Sequence, residues 1–101
     1  MLQITFRHME TSPALQSLTE EKFERLLAHF SHAPRCHVVI DEAPGHAHNG
    51  AFSVHVELSG SVGEELHVGA TAVHAQAPCA VREAFECVER QLHVRSAKRS
   101  A

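Results

Sequence analysis

Residues 2 to 7 alternate, with Leu2, Ile4 and Phe6 on one side and Gln3, Thr5 and Arg7 on the other, the period of a strand with one face in a core. Ser12-Pro13 follows, a capping hydroxyl and then a proline where a first helical residue loses nothing by lacking its N–H. Leu15, Leu18, Phe23, Leu26, Leu27 and Phe30 then recur at helical steps, opposed by Glu20, Glu21, Lys22, Glu24 and Arg25. This predicts a long amphipathic helix that ends before Pro34. Alternation returns in Cys36, Val38 and Ile40 against His37, Val39 and Asp41, and again in Phe52, Val54, Val56 and Leu58 against Ser53, His55 and Glu57. A fourth strand is expected from Leu66, Val68 and Ala70 against Glu65, His67 and Gly69. The connectors 43–50 and 59–63 are rich in turn-forming residues. From Pro78 onward Val81, Ala84, Phe85, Val88 and Leu92 keep helical spacing, backed by Arg82, Glu83, Glu86, Glu89 and Arg90.

The element order is therefore β-α-β-β-β-α. A helix between the first two strands makes them parallel, and short connectors make the next three an antiparallel meander. Each strand has one apolar face, so both helices belong on the same side of the sheet. The expected fold is an α+β two-layer sandwich, one four-stranded mixed sheet with two helices packed on one face. One domain spans residues 1–95. Residues 96–101 lose the apolar period and form a flexible basic tail.

Composition narrows the function classes. The 101 residues, 44% apolar and 21% charged, suit one globular core. With no Trp or Tyr and five Phe, the chain is short of stacking platforms for single-stranded nucleic acid. Formal net charge is −3 with histidines neutral, which opposes non-specific attraction to polyanions, but ten histidines mean that such binding should strengthen as pH falls toward about 6. No segment has the pattern of a signal peptide or membrane span, and Cys36, Cys79 and Cys87 are odd in number with no C-x-x-C spacing. The expectation is a cytoplasmic protein with reduced thiols.

No phosphate-binding glycine loop, nucleophile elbow, H-E-x-x-H helix or paired-cysteine zinc motif is present, so the chain reads as a binding protein, not an enzyme, with no cofactor and no small-molecule substrate. A small enzyme of the same sandwich shape rests on fold analogy alone. Two sets of residues are candidates for binding. On the helices, Lys22, Arg25 and His29, then Arg82, Arg90, His93 and Arg95, form a discontinuous basic stripe suited to a phosphate backbone. The competing reading pairs them with the interleaved glutamates. On the sheet, His37, His55 and His67 fall on the polar face of three successive strands, where they are candidate metal ligands or simply exposed polar residues. His46 and His48 are a weaker chelating pair in a loop.

Ile4-Thr5, Arg7-His8, Glu10, Ser12, Ala14-Leu15, Glu21-Lys22, Arg25-Leu26 and His29-Phe30, with Arg90-Gln91-Leu92 late in the chain, resemble the ribosome-hibernation family. This is the sigma-54 modulation protein-like group that includes ribosome-associated inhibitor A and the short hibernation-promoting factors. The resemblance covers almost the whole chain, its first thirty residues carrying most of the specificity. It implies a stress-response, non-catalytic protein that binds the small ribosomal subunit and its rRNA, blocks the tRNA and mRNA sites between head and body, and so inhibits translation. The rRNA contacts it carries over are Lys22, Arg25 and Arg90, with His29 at a position often basic or aromatic. Where the family usually opens its second helix with Asp-x-Tyr this chain has Gln76-Ala77-Pro78, and its second helix carries Glu83, Glu86 and Glu89 where relatives are richer in lysine. The long members' C-terminal dimerisation domain has no counterpart here. The alternative function is that of a diverged member acting as a histidine-based metal- or pH-responsive binding protein.

Overall fold

A computed structural model describes residues 1–29, 35–42, 51–60 and 67–100. Strand β1 (Leu2–Arg7) leads into helix α1 (Pro13–His29), followed by β2 (Arg35–Glu42), β3 (Phe52–Ser59), β4 (His67–His74) and helix α2 (Ala77–Ser100). The sheet order is β1-β2-β3-β4, with β1 parallel to β2 and the other pairs antiparallel. This is the expected two-layer α+β sandwich.

The register puts the apolar alternation into rows. Ile4 pairs with Val38, Val38 with Val56 and Val56 with Ala70, and the rows of Leu2 and Phe6 run alongside. Against these rows α2 packs across β3 and β4, while α1 lies beside α2 and touches β1. Leu26, Val81, Ala84 and Val88 are fully buried, with Phe23 and Phe85 nearly so. Among the described residues the one buried polar side chain is Thr19, whose hydroxyl donates to the Leu15 carbonyl at 2.7 Å, so its polar atom is not left unsatisfied in the core.

The helix starts follow the local chemistry. Ser12 caps α1, its Oγ accepting from the Leu15 N–H at 3.3 Å and its carbonyl from Gln16 at 2.9 Å. The chain leaves β1 through His8 at φ 58°, a left-handed residue whose imidazole reaches back to Asp41 at 2.8 Å.

Three boundaries differ from expectation. β4 continues to His74, past Ala70, because Ala72 keeps the inward period opposite Val54; residues 65 and 66 lie outside the described residues, as do 43–50, His46 and His48 among them. The second helix begins one residue early, at Ala77, and its backbone continues to Ser100, beyond the point where the apolar period stops. The boundary at residue 95 is thus a change of composition within a helix.

Candidate functional site

The two sets of candidate residues lie on opposite outer faces. Lys22 and Arg25 are on α1, with Lys22 half-buried at the margin of the Thr19–Phe23–Leu26 stripe and Arg25 exposed. A long lysine stem can lie along apolar surface while its ammonium stays in water. Gln16 and Glu20 line a hollow with Leu2, Ile4 and Phe6, so that flank of α1 faces β1. At 100° per residue Lys22 and Arg25 come to the opposite flank, which borders α2, and Glu20 and Glu24 stay toward β1. Glu21, four residues before Arg25, stays on the outer side beside it, so the segregation of charge on α1 is partial.

On α2 the arrangement is mixed. The Gln91 side chain donates to the Gly69 carbonyl at 2.9 Å, fixing that flank against the outer edge of β4. The same helical geometry turns Arg82 and half-buried Glu89 toward α1 and leaves Arg90 outward, between Glu83 and Glu86. Arg82 and Arg90 are exposed. Among the described residues the ion pairs are His8–Asp41 and His55–Glu57, and neither involves Lys22, Arg25, Arg82 or Arg90. The glutamates four residues away therefore do not tie up these cations. His29 ends α1 and Arg95 lies late in α2; their side chains are outside the described ones.

The open face of the sheet is organised differently. His37, His55 and His67 do share it, but they gather around a carboxylate that the spacing alone did not single out. Glu57 is the direct cross-strand partner of His37, lies two residues from His55 on β3, and is diagonal to His67, whose own partner is Ser59. His55 Nε2 lies 3.2 Å from the Glu57 carboxylate, and its Nδ1 lies 2.6 Å from the Thr71 hydroxyl. The hydrogen bond from His55 holds the Glu57 carboxyl below its ordinary value against the opposing effect of burial, with lesser help from the charges of His55, His67 and His37. Glu57 and His55 lie over Gly69, the β4 partner of Glu57: a Cβ there would meet Glu57 Cγ at 3.7 Å and His55 Cε1 at 3.8 Å, ordinary van der Waals contact. His37 meets the Thr5 hydroxyl at 3.0 Å. Among the described residues no three His, Cys, Asp or Glu side chains form a group able to hold a metal ion.

With this geometry in hand, the family match is decisive. Residues 2–100 match the family described as sigma 54 modulation protein / S30EA ribosomal protein. The chain belongs to that family. No curated protein matches it. Among solved structures, the S30EA-family chain is similar to a ribosomal subunit interface protein from Coxiella burnetii, with TM-score 0.79 and 21% identity over 95% of this chain and 97% of that one. It is similar also to the N-terminal domain of Thermus thermophilus Protein Y, with TM-score 0.72 and 19% identity over 88% and 90% of the two chains. At these identities the likeness establishes the fold.

Within the S30EA-family fold, the unusual opening of the second helix remains a working helix start. The Gln76 carbonyl accepts from Ala80 at 3.2 Å, and the Gln76 N–H donates to His74 Nδ1 at 3.0 Å, so neither group of Gln76 is left unmet where the chain turns from β4 into α2. Gln76, Ala77 and Pro78 line a hollow together with Ser12 and Ala14, which sets the N-termini of α1 and α2 at the same end of the molecule. The two helices run parallel. Among the described residues no helix is long and apolar enough to cross a membrane.

Proposed function

We propose that this chain binds the small ribosomal subunit through its rRNA, covers the tRNA and mRNA sites and holds ribosomes inactive under stress. The observation that carries this reading is the presence of Lys22, Arg25, Arg82 and Arg90 on two adjacent, parallel helices, none of them engaged by a neighbouring carboxylate among the described residues. Cations held this way meet phosphate oxygens without first giving up an ion pair, and such contacts position a protein on RNA without reading its sequence. His29 at the end of α1 and Arg95 late in α2 are further cations that this reading assigns to the rRNA contact. The protein acts in the cytoplasm by steric occlusion, with no catalytic step, and residues 1–95 supply the binding domain while the basic residues of 96–101 add charge at its end.

Glu83, Glu86 and Glu89 on α2 and Glu20, Glu21 and Glu24 on α1 weaken the field around the cations, so the affinity should be modest and sensitive to salt. Co-sedimentation with isolated small and large subunits at low salt tests the reading. The wild-type chain should travel with the small subunit, and Lys22→Glu/Arg25→Glu should stay in the supernatant. Absence of wild-type co-sedimentation between about pH 6 and 7, where its histidines begin to charge, would refute it. The metal-responsive alternative has no assembled ligand group among the described residues to support it; the pH-responsive one is favoured by the histidines around Glu57.

A further inference from the structure

We infer that the open face of the sheet is a second RNA-binding surface, on which Arg35, His37 and His67 take phosphates of the RNA backbone once the histidines are protonated. This rests on the reading that the partner is RNA, but not on which helix residues hold it. A hollow of about 280 Å³ at one end of this face is lined by Met1, Gln3, Arg35, His37, Glu57 and His67, among others. Arg35 and His67 stand on either side of Ser59 in one cross-strand row, two strand spacings or roughly 10 Å apart. His37 and Glu57 are neighbours in the next row.

Charge complementarity selects the occupant. Among the described residues Glu57 is the one carboxylate lining the hollow, and it already accepts from His55. With neutral imidazoles Glu57 offsets Arg35; protonation of His37, His55 and His67 adds three positive charges at this end of the face. Facing His37 from β1 are the uncharged Gln3 and Thr5, from β3 Glu57 and His55, and from β4 His67, with Arg35 on its own strand. Arg7 and Asp41 share a row farther along the face, where His8 engages Asp41. No described carboxylate other than Glu57 opposes an anion in the hollow. Among the described residues no Trp, Tyr or Phe lines the hollow, so they offer little to stack a base. It suits phosphates, and it is gated by the side chain that titrates between about pH 5 and 8.

The test is binding of an unstructured poly(U) oligonucleotide at about pH 8 and pH 6, the two sides of histidine titration, using the wild-type chain, His37→Gln/His67→Gln, Arg35→Gln and Lys22→Glu/Arg25→Glu, each checked for folding by circular dichroism. Wild-type affinity should rise about tenfold on acidification, in line with added phosphate contacts. The double histidine variant should lose that rise; Arg35→Gln should bind more weakly at both pH values. The helix variant should bind more weakly throughout yet keep the rise. A rise that survives in His37→Gln/His67→Gln, or no rise in the wild type, overturns the inference. Loss of the rise only in the histidine variant, with small-subunit binding of Lys22→Glu/Arg25→Glu intact, would instead overturn the helix reading and leave this one standing.

Discussion

The outer surface of the helices and the open face of the sheet both carry basic residues, but they handle charge in opposite ways. On the helices the cations are fixed and free: Lys22, Arg25, Arg82 and Arg90 have no carboxylate partner among the described residues, although six glutamates share the same two helices. On the sheet the acids are the engaged groups, Asp41 by His8 and Glu57 by His55, and most of the positive charge waits on protonation. A face with permanent cations can hold phosphate at any physiological pH, whereas a histidine face adds attraction only as the medium acidifies. The first is suited to binding and the second to adjusting it.

The largest expected effect comes from removing what the faces share. Phe85 is 2% exposed in the layer between helices and sheet, and Phe85→Ala should cost about 3–5 kcal/mol in urea unfolding, abolishing binding at both faces. Substitutions at exposed Arg25 or Arg90 should change stability by about 0.5 kcal/mol or less. If they cost as much as Phe85→Ala, their effect on binding could not be assigned to surface charge.

Cys36 separates the inside of the sheet from its open face. Burial pushes its thiol up to about 12. An unfolded chain ionises this thiol from about pH 8.5, while the folded chain keeps it protonated, so stability should fall as pH rises from about 8.5 toward 12. Cys36→Ala should flatten that part of the stability profile. Alkylation at neutral pH should label Cys79 and Cys87 first, and Cys36 only when the protein unfolds; rapid labelling of Cys36 would show that β2 opens readily.

The smallest effect is expected at Glu57. Its folded value is lowered, so its contribution to stability is present above the unfolded value near 4.3 and is lost as pH falls through the folded one. Because the pair is largely exposed, Glu57→Gln should destabilise by at most about 0.5 kcal/mol at neutral pH, and the difference from wild type should vanish at strongly acidic pH. A difference that grows on acidification would mean that Glu57 is not held by its histidines.

The two faces differ in how far the chain alone reveals them. Strands β1 and β3 alternate cleanly because each has one wet and one dry side, β2 does so except at outward Val39, and Ser12-Pro13 announces α1. The second half of β4 is hidden in the sequence because Ala72 is a weak apolar signal and Val73 breaks the pattern by pointing outward, where it is 45% exposed. Alternation is enough to put His37, His55 and His67 on one face, yet their convergence on Glu57 depends on register, which is fixed by the pairing across connectors and cannot be counted off a single strand. The alternation of Val54, His55, Val56 and Glu57 is the signal that points toward it. Likewise the spacing of Lys22 and Arg25 places them on one side of α1, but only the packing of Glu20 on the β1 flank and of Gln91 on β4 reveals which sides of the helices meet.

Binding of rRNA phosphates by the free cations of the helix face is tested most directly by the salt dependence of small-subunit affinity, compared between the wild type and Lys22→Gln/Arg25→Gln. If both residues neutralise a phosphate, the log–log slope of the variant should be shallower by roughly 1.4 to 1.8, at about 0.7 to 0.9 for each phosphate left unneutralised. An unchanged slope at unchanged affinity would contradict a role for these two cations in holding the RNA.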